Sequence, residues 1–448
     1  MTTPALIPTS HSAIIHMAIP IILANAAVPL LGLVDTAVIG HSGNAADVGA
    51  IAFGSLIFSF VFWGFGFLRM GTSGFTAQAA GAGDYREVRV AFSRALLLGG
   101  VIGLLLILLQ YPLSALAFWL LDGSSAVEHG AQTYMQTRIW GAPATLASYA
   151  IMGTLIGLGH TRQLLWLQLF LNGVNLLLDV IFVTVLDWGV QGIALGTVIA
   201  EWLCFILGGF ILFNLLRAKY HRSNEAFFSW SSIFQRSALV NTLKVNSDIM
   251  WRTLFMLTGF GWFANQGAQF GDTTLAANHI LLQFISFSAF FLDGFAFALE
   301  SLVGKTLGSR NRQLFDRAII VSTQIAATCA LGLTGLLLFF GEVAINALNP
   351  LISIQQEAQA YLPYAAIYVL VSFAAFQLDG VFIGATSSRA MRNASLFSLL
   401  IFLAVAWLLV PGAGNQGLWI AFIIYVVARA VCLGMYFPRL RRSIEYLN

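Results

Sequence analysis

Seven carboxylates stand inside long apolar stretches of this 448-residue chain: Asp35, Asp179, Glu201, Asp248, Asp293, Glu300 and Asp379. An ionised side chain near the centre of a bilayer costs about 2.5–3.5 kcal/mol or more, so such residues pair with a cation, face water or change protonation as part of their work. Asn172, Asn175 and Asp179 stand at i, i+3 and i+7, which places them within about 60° of one another on a helix of 3.6 residues per turn. This polar stripe, with Asp35 and Thr197 from neighbouring segments, has the chemistry of a proton-binding site. Desolvation and a second carboxylate nearby both favour the protonated form, and Asp35 and Asp179 would then titrate as one coupled pair. Tyr134 is placed to hydrogen-bond into the stripe. Glu201, four residues after Thr197, shares its helix face and reads either as a further member of the network or as an ion-pair partner of Arg69. The competing reading is that these Asn and Asp side chains only hydrogen-bond helices together.

The acids of the second half read differently. Arg252 follows Asp248 by one helical turn, an arrangement expected to give a structural salt bridge on one face. Asp379 has no basic residue at helical spacing, which makes it a candidate ligand-contacting group. Pro20 lies fifteen residues before Asp35 and removes a backbone hydrogen bond there, as a static bend or a moving hinge.

The elements that carry these residues follow from composition. Apolar residues make up 58% of the chain and charged residues 9%, against about 45–50% and about 25% in soluble domains, and the mean hydropathy is +0.83. These values exclude a water-soluble enzyme, a nucleic-acid binder and a disordered chain. Apolar runs lie near 14–40, 50–80, 90–121, 133–158, 164–186, 192–216, 238–264, 275–303, 318–341, 360–386, 393–411 and 417–437. Each reaches about the 20 residues that a membrane helix needs, and helices satisfy every backbone group within the segment. The reading is an all-α polytopic membrane protein with twelve transmembrane helices in two pseudo-symmetric six-helix lobes. The lobes are 1–216 and 238–448, joined by a cytoplasmic loop over 217–237.

Orientation follows from basic residues. With both termini cytoplasmic, 17 of the 22 Lys and Arg fall in inner loops and the tail, and Arg138 alone is counted in an outer loop. That topology puts Asp35 about 9 Å, Asp179 about 10 Å and Thr197 about 8 Å from the outer ends of their helices, at 1.5 Å per residue. The N-terminus lacks a Lys/Arg start, so no cleaved segment is expected. Cys204, Cys329 and Cys432 have no paired spacing and read as core residues.

An internal repeat supports the two lobes. Met152-Gly153-Thr154-Leu155-Ile156-Gly157, followed by Thr161-Arg162, matches Asp379-Gly380-Val381-Phe382-Ile383-Gly384, followed by Ser388-Arg389. The offset is 380 − 153 = 227, and the same offset superimposes Gly81 on Gly308. An even number of spans per lobe gives both repeats one orientation, the arrangement of alternating-access transporters. Gly304-Lys305-Thr306 lacks the upstream Gly of a phosphate loop, and no hydrolase or metalloprotease motif is present. No enzyme activity, cofactor or metal is expected, and the energy source would be an ion gradient.

The segment Leu33-Val34-Asp35-Thr36-Ala37-Val38-Ile39-Gly40-His41, the stretch from Asp379 to Thr386, and Arg389-Ala390-Met391-Arg392-Asn393 resemble the multidrug and toxic compound extrusion (MATE) family, in its DinF-like branch. The resemblance covers essentially the whole chain. It implies export of organic cations and amphipathic compounds against inward H⁺ or Na⁺, by a protein of the bacterial inner membrane. It further implies a first-lobe network at Asp35, Tyr134, Asn175, Asp179 and Thr197, with Pro20 as the bending proline. The acid that the NorM-like branch carries in its seventh span has no clear match, since Asp248 lies near the inner end. The expected partners are small organic compounds and the lipid bilayer, with no nucleic acid, for a chain acting as a monomer. Competing readings are a Na⁺-coupled exporter and a lipid-linked saccharide flippase of the same superfamily, the latter disfavoured by the acid-bearing first lobe.

Overall fold

The computed structural model describes residues 7–42, 45–120, 125–218 and 229–444; side chains at 28–37, 39–42, 45, 120, 125 and 126 lie outside the described set. Among the described residues every regular element is helical. In chain order α1 is His11–Ser42. Helix α2 joins Ala45–Gly64 to Phe67–Gly81, and α3 joins Tyr85–Leu108 to Gln110–Leu120. Helix α4 comprises Ser125–Arg138, one 3-10 turn over Ile139–Gly141, and Ala142–Leu158. Helix α5 is Thr161–Asp179 running into a π-helical stretch, Val180–Val185, and α6 is Gly189–Ala218. In the second half α7 is Arg236–Gln269, α8 Asp272–Gly308, α9 Arg312–Leu348 and α10 Ile352–Gly384. The stretch Ser388–Gly434 is interrupted at Gly414 (φ 55°, ψ −133°), giving α11 before it and α12 after it. The protein is thus a twelve-helix membrane protein of two six-helix lobes. Short helices Trp230–Ile233 and Phe437–Ser443 complete the chain.

Two compact units are resolved. One contains Leu23–Ala80 and Asp84–Asn241, the other Met1–Ile22, Gly81–Gly83 and Thr242–Asn448. In the latter, the first part of α1 packs on α8: a Cβ at Gly294 would stand 2.3 Å from Ile22 Cγ1 and 3.3 Å from the Ala18 carbonyl oxygen. Pro20 is buried within this part of the helix. Each unit has its own apolar core, around Phe92, Ile151, Leu155 and Leu212 in one, and around Phe263, Phe402, Trp419 and Phe422 in the other. Large apolar side chains also point outward, Phe339 and Trp407 among the most exposed. In water such a surface would aggregate; in a bilayer it faces lipid.

The repeat extends into packing and turn geometry. In the first lobe a Cβ at Gly153 would stand 2.4 Å from the Arg69 carbonyl oxygen, and one at Gly157 2.6 Å from that of Ser73. In the second, Gly380 would meet the Ala296 carbonyl and Gly384 the Glu300 carbonyl, each at 2.4 Å. All four pairs obey the 227 offset (296 − 69 and 300 − 73 included). The same helix crossing, with backbones touching over small residues, therefore closes each lobe.

The caps follow suit. Asp84 accepts from the Glu87 backbone N–H at 2.9 Å, and Asn311 from that of Leu314 at 3.0 Å. The residue before each cap is left-handed, Gly83 at φ 73° and Arg310 at φ 54°. Gly159 and Thr386 repeat the pattern after α4 and α10.

Candidate functional site

Helices α5 and α6 bring the first-lobe polar residues together. Asn175 donates from Nδ2 to Thr197 Oγ1 at 3.0 Å and to Asp179 Oδ1 at 3.4 Å. The Thr197 hydroxyl is committed to the Ile193 carbonyl, one turn back on α6, at 3.0 Å. Asn175 and Asp179 are both 0% exposed. Gly196 makes room for the carboxylate, since a Cβ there would stand 2.6 Å from Asp179 Oδ1. Both amide hydrogens of Asn175 are in use, while its Oδ1 is a buried acceptor with no hydrogen-bond partner.

Directly after Asp179 the helix changes winding. Val180–Val185 is π-helical, closed by Leu186 N–H to Ile181 O at 3.0 Å and Trp188 N–H to Phe182 O at 2.9 Å. The apolar run reads as one regular helix, and nothing in its composition marks the change. A π segment within an α-helix is a recurrent feature of functional sites.

The sequence stripe divides in space. Asn175 and Asp179 face α6, but Asn172 Nδ2 donates to the Ala27 carbonyl of α1 at 2.8 Å. Tyr134 is buried against α2, where Gly54 opens a slot for its ring, a Cβ there falling 2.4 Å from Cδ1. Its hydroxyl accepts from Ser55 Oγ at 3.3 Å, and its ring meets that of Phe58 edge-on. The Asp35 side chain lies outside the described residues.

Glu201 is paired with neither of the partners considered above but with Arg138, which is not a loop residue. Arg138 Nη1 donates to Glu201 Oε2 at 2.6 Å and Nη2 to Oε1, with side chains 7% and 9% exposed. The rings of Phe58 and Phe62 lie 5.3 and 5.4 Å from the guanidinium carbon. Gly141, in the 3-10 turn that breaks α4, is required there, because a Cβ would stand 2.3 Å from Glu201 Oε2. The polar run Gln132-Thr133-Tyr134-Met135-Gln136-Thr137 disguises this part of the span. The signal was the position of Arg138 itself, five residues inside the apolar run that starts at 133.

The second-lobe pairing also departs from the sequence expectation. Arg252 binds not Asp248 but Asp379 on α10, and Arg429 Nη2 of α12 reaches the same Asp379 oxygen at 2.9 Å. Asp248 instead accepts from Arg392 Nη1 at 2.6 Å and from Ser388 Oγ at 3.0 Å. Asp379 therefore has two basic partners, both remote in sequence. Two guanidinia on one carboxylate give that place an excess of positive charge. Glu300 is wholly buried on α8 and Asp293 half-buried two turns earlier.

Comparison with known proteins supports this architecture. The MatE family model matches residues 20–181 and 262–408. The chain belongs to the MatE family, whose members are multidrug efflux transporters. It is 36% identical to the DNA damage-inducible protein F of Escherichia coli over 97% of this chain and 94% of that protein. It is 24% identical to the multidrug resistance protein NorM of Vibrio cholerae, covering 94% of each. Among solved structures, the Vibrio cholerae MATE transporter VcmN in the bent form superimposes with a TM-score of 0.86 at 19% identity, over 97% of this chain and 98% of that one. A transporter of the MOP superfamily from Pyrococcus furiosus gives 0.85 at 18% identity over 100% and 99%. As a MatE protein this chain is a multi-pass membrane protein, and the two matched segments fall in its two repeats.

Proposed function

We propose that this protein is a proton-coupled antiporter that exports cationic or amphipathic organic compounds by alternating access, with Asp35 and Asp179 as the proton-carrying pair. It would act as a monomer in a bacterial inner membrane with both termini cytoplasmic, the orientation that places most Lys and Arg inside. The observation that carries the reading is the environment of Asp179. A wholly buried carboxylate meets an Asn175 amide whose hydrogens are spent and whose oxygen lacks a donor.

Protonation turns an acceptor-only carboxylate into a group with one O–H donor. That hydrogen is what Asn175 Oδ1 lacks, so proton uptake at Asp179 lets the amide turn and accept it. The bond between α5 and α6 through Thr197 must then rearrange, because the two Nδ2 hydrogens move with the amide. The proton is thereby linked to the contact between two helices of one lobe, at the point where α5 changes winding. Deprotonation favours the arrangement in which a cation is held, and protonation from outside favours its release. Exchange of one H⁺ for one monovalent cation moves no net charge, so the pH difference alone drives it, at about 1.4 kcal/mol per unit. Asp35 enters on the sequence argument.

The test is accumulation of ethidium in everted membrane vesicles with an acidified interior. Vesicles holding the intact protein accumulate the dye while the gradient lasts; those holding Asp179→Asn at equal abundance and equal melting temperature do not. Undiminished pH-driven accumulation by Asp179→Asn removes the proton site from this residue. Accumulation driven only by Na⁺ reassigns the ion.

A further inference from the structure

The second lobe contains a buried polar cluster that the first-lobe reading does not use. Arg252 from α7 and Arg429 from α12 converge on one oxygen of Asp379 from α10. All three side chains are mostly buried, at 6%, 9% and 14% exposure. Two guanidinia against one carboxylate leave a net charge of +1 in an apolar lobe, where an uncompensated charge is costly.

Two donors in the cluster are unspent. Arg252 Nε and Tyr425 Oη are both buried without a hydrogen-bond partner, on residues 5% and 0% exposed. Tyr425 stands one turn before Arg429 on α12, and its hydroxyl lies against the bare backbone of Gly259, where a Cβ would fall 3.0 Å away. The charged groups that act on Tyr425 are Arg429, Arg252 and Asp379. The remaining carboxylate on α7, Asp248, is held by Arg392 and Ser388 and does not neutralise the pair. The aromatic side chains beside the cluster pack on one another within the core: Tyr425 on Phe402 at 5.1 Å, and Phe422 on Tyr368 at 4.7 Å and on Phe260 at 5.2 Å.

We propose that Arg252, Arg429 and Tyr425 form a binding site for the carboxylate of an organic anion, with Asp379 as the internal counter-ion that occupies the arginines in the anion's absence. An entering carboxylate accepts charge-assisted hydrogen bonds from the guanidinia and supplies the acceptor that Arg252 Nε and the Tyr425 hydroxyl lack. The site is independent of the proton pair: it lies in the other lobe and binds at equilibrium without a gradient. It extends the compounds handled beyond cations, to anions and zwitterions.

The assignment makes a prediction opposite to that for a cation site. Asp379 competes with the incoming carboxylate, so Asp379→Asn tightens anion binding, whereas loss of the carboxylate would abolish binding of a cation. The experiment is calorimetric titration of the full-length protein in detergent with 2-naphthoate, and with neutral 2-naphthamide as the control. The intact protein binds the carboxylate in preference to the amide. Tyr425→Phe and Arg252→Gln weaken the carboxylate by roughly tenfold or more, the loss expected for a hydrogen bond to a charged group, and leave the amide unchanged. Asp379→Asn strengthens the carboxylate several-fold. Tyr425→Phe changes one oxygen in a packed ring, and its melting temperature reports whether the fold is retained. No preference for the carboxylate in the intact protein, unchanged affinity in Tyr425→Phe at native stability, or loss of binding in a folded Asp379→Asn each overturns the proposal.

Discussion

Replacing Glu201 by Gln separates a structural ion pair from a coupling site. The change keeps the shape of the side chain and removes its charge, leaving Arg138 as a buried cation between Phe58 and Phe62. Removing one partner of a buried pair costs about 3–5 kcal/mol, because the other charge stays desolvated. The amide oxygen still accepts one of the two hydrogen bonds, which returns about 1 kcal/mol. The net loss is about 2–4 kcal/mol, and since each kcal/mol moves the midpoint of a unit of this size by about 2–4 °C, the melting temperature falls by about 4–16 °C. The double variant Arg138→Gln/Glu201→Gln has no buried charge and recovers most of the loss, so the two single effects do not add. The assay is thermal unfolding in detergent followed by size-exclusion chromatography, with dye export measured in parallel. Export follows stability in this series, and the double variant exports. A single variant that melts within about 2 °C of the native protein, on the same scale, refutes the argument from desolvation. A double variant that loses the sum of the two singles refutes it equally.

Other expectations follow from the same structure. Gly153→Ala and Gly380→Ala force Cβ atoms to 2.4 Å from carbonyl oxygens, so each lowers stability by about 1–3 kcal/mol in thermal melts. Gly332→Ala, with open space around it, is neutral or stabilising by up to about 1 kcal/mol. Asp84→Ala and Asn311→Ala each remove one helix cap and cost about 0.5–2 kcal/mol; hydrogen exchange should show faster opening at the starts of α3 and α9 respectively. Asn175→Ala deletes the amide between Asp179 and Thr197, and is expected to change the external pH at which ethidium export is half-maximal, without abolishing it.

Much of the architecture was legible because lipid imposes a simple grammar. Continuous apolar runs must be helices, and a 227-residue offset between Gly153-x-x-x-Gly157 and Gly380-x-x-x-Gly384 marks a duplicated crossing. The structure adds that the partners Arg69 and Ala296, and Ser73 and Glu300, keep the same offset. Composition also hid things. The run 393–437 reads as two spans, and only the backbone shows them meeting at Gly414. Arg138 was counted with the outer loops because the polar residues before it obscure the helix start.

What the sequence determined by itself is which residues are expensive to bury and roughly where along each helix they sit. What only the tertiary structure decided is who neutralises them. Asp248 and Arg252 stand about 6 Å apart along one helix at 1.5 Å per residue, near enough to pair, yet they pair with Arg392 and Asp379. Spacing within a helix fixes the face a residue shares. An arginine stem, however, spans the groove to whichever neighbour presents a carboxylate in line with its guanidinium, and bidentate or converging geometry outweighs a local pair strained along one surface. The neighbour is set by how helices cross, hence by small residues such as Gly153 and Gly380 that let backbones approach, and Gly141 that leaves room for the Arg138–Glu201 pair. The candidate chemistry is thus written in single residues, and packing decides their surroundings: Asp179 is buried beside an amide, and Asp379 is clamped by two arginines.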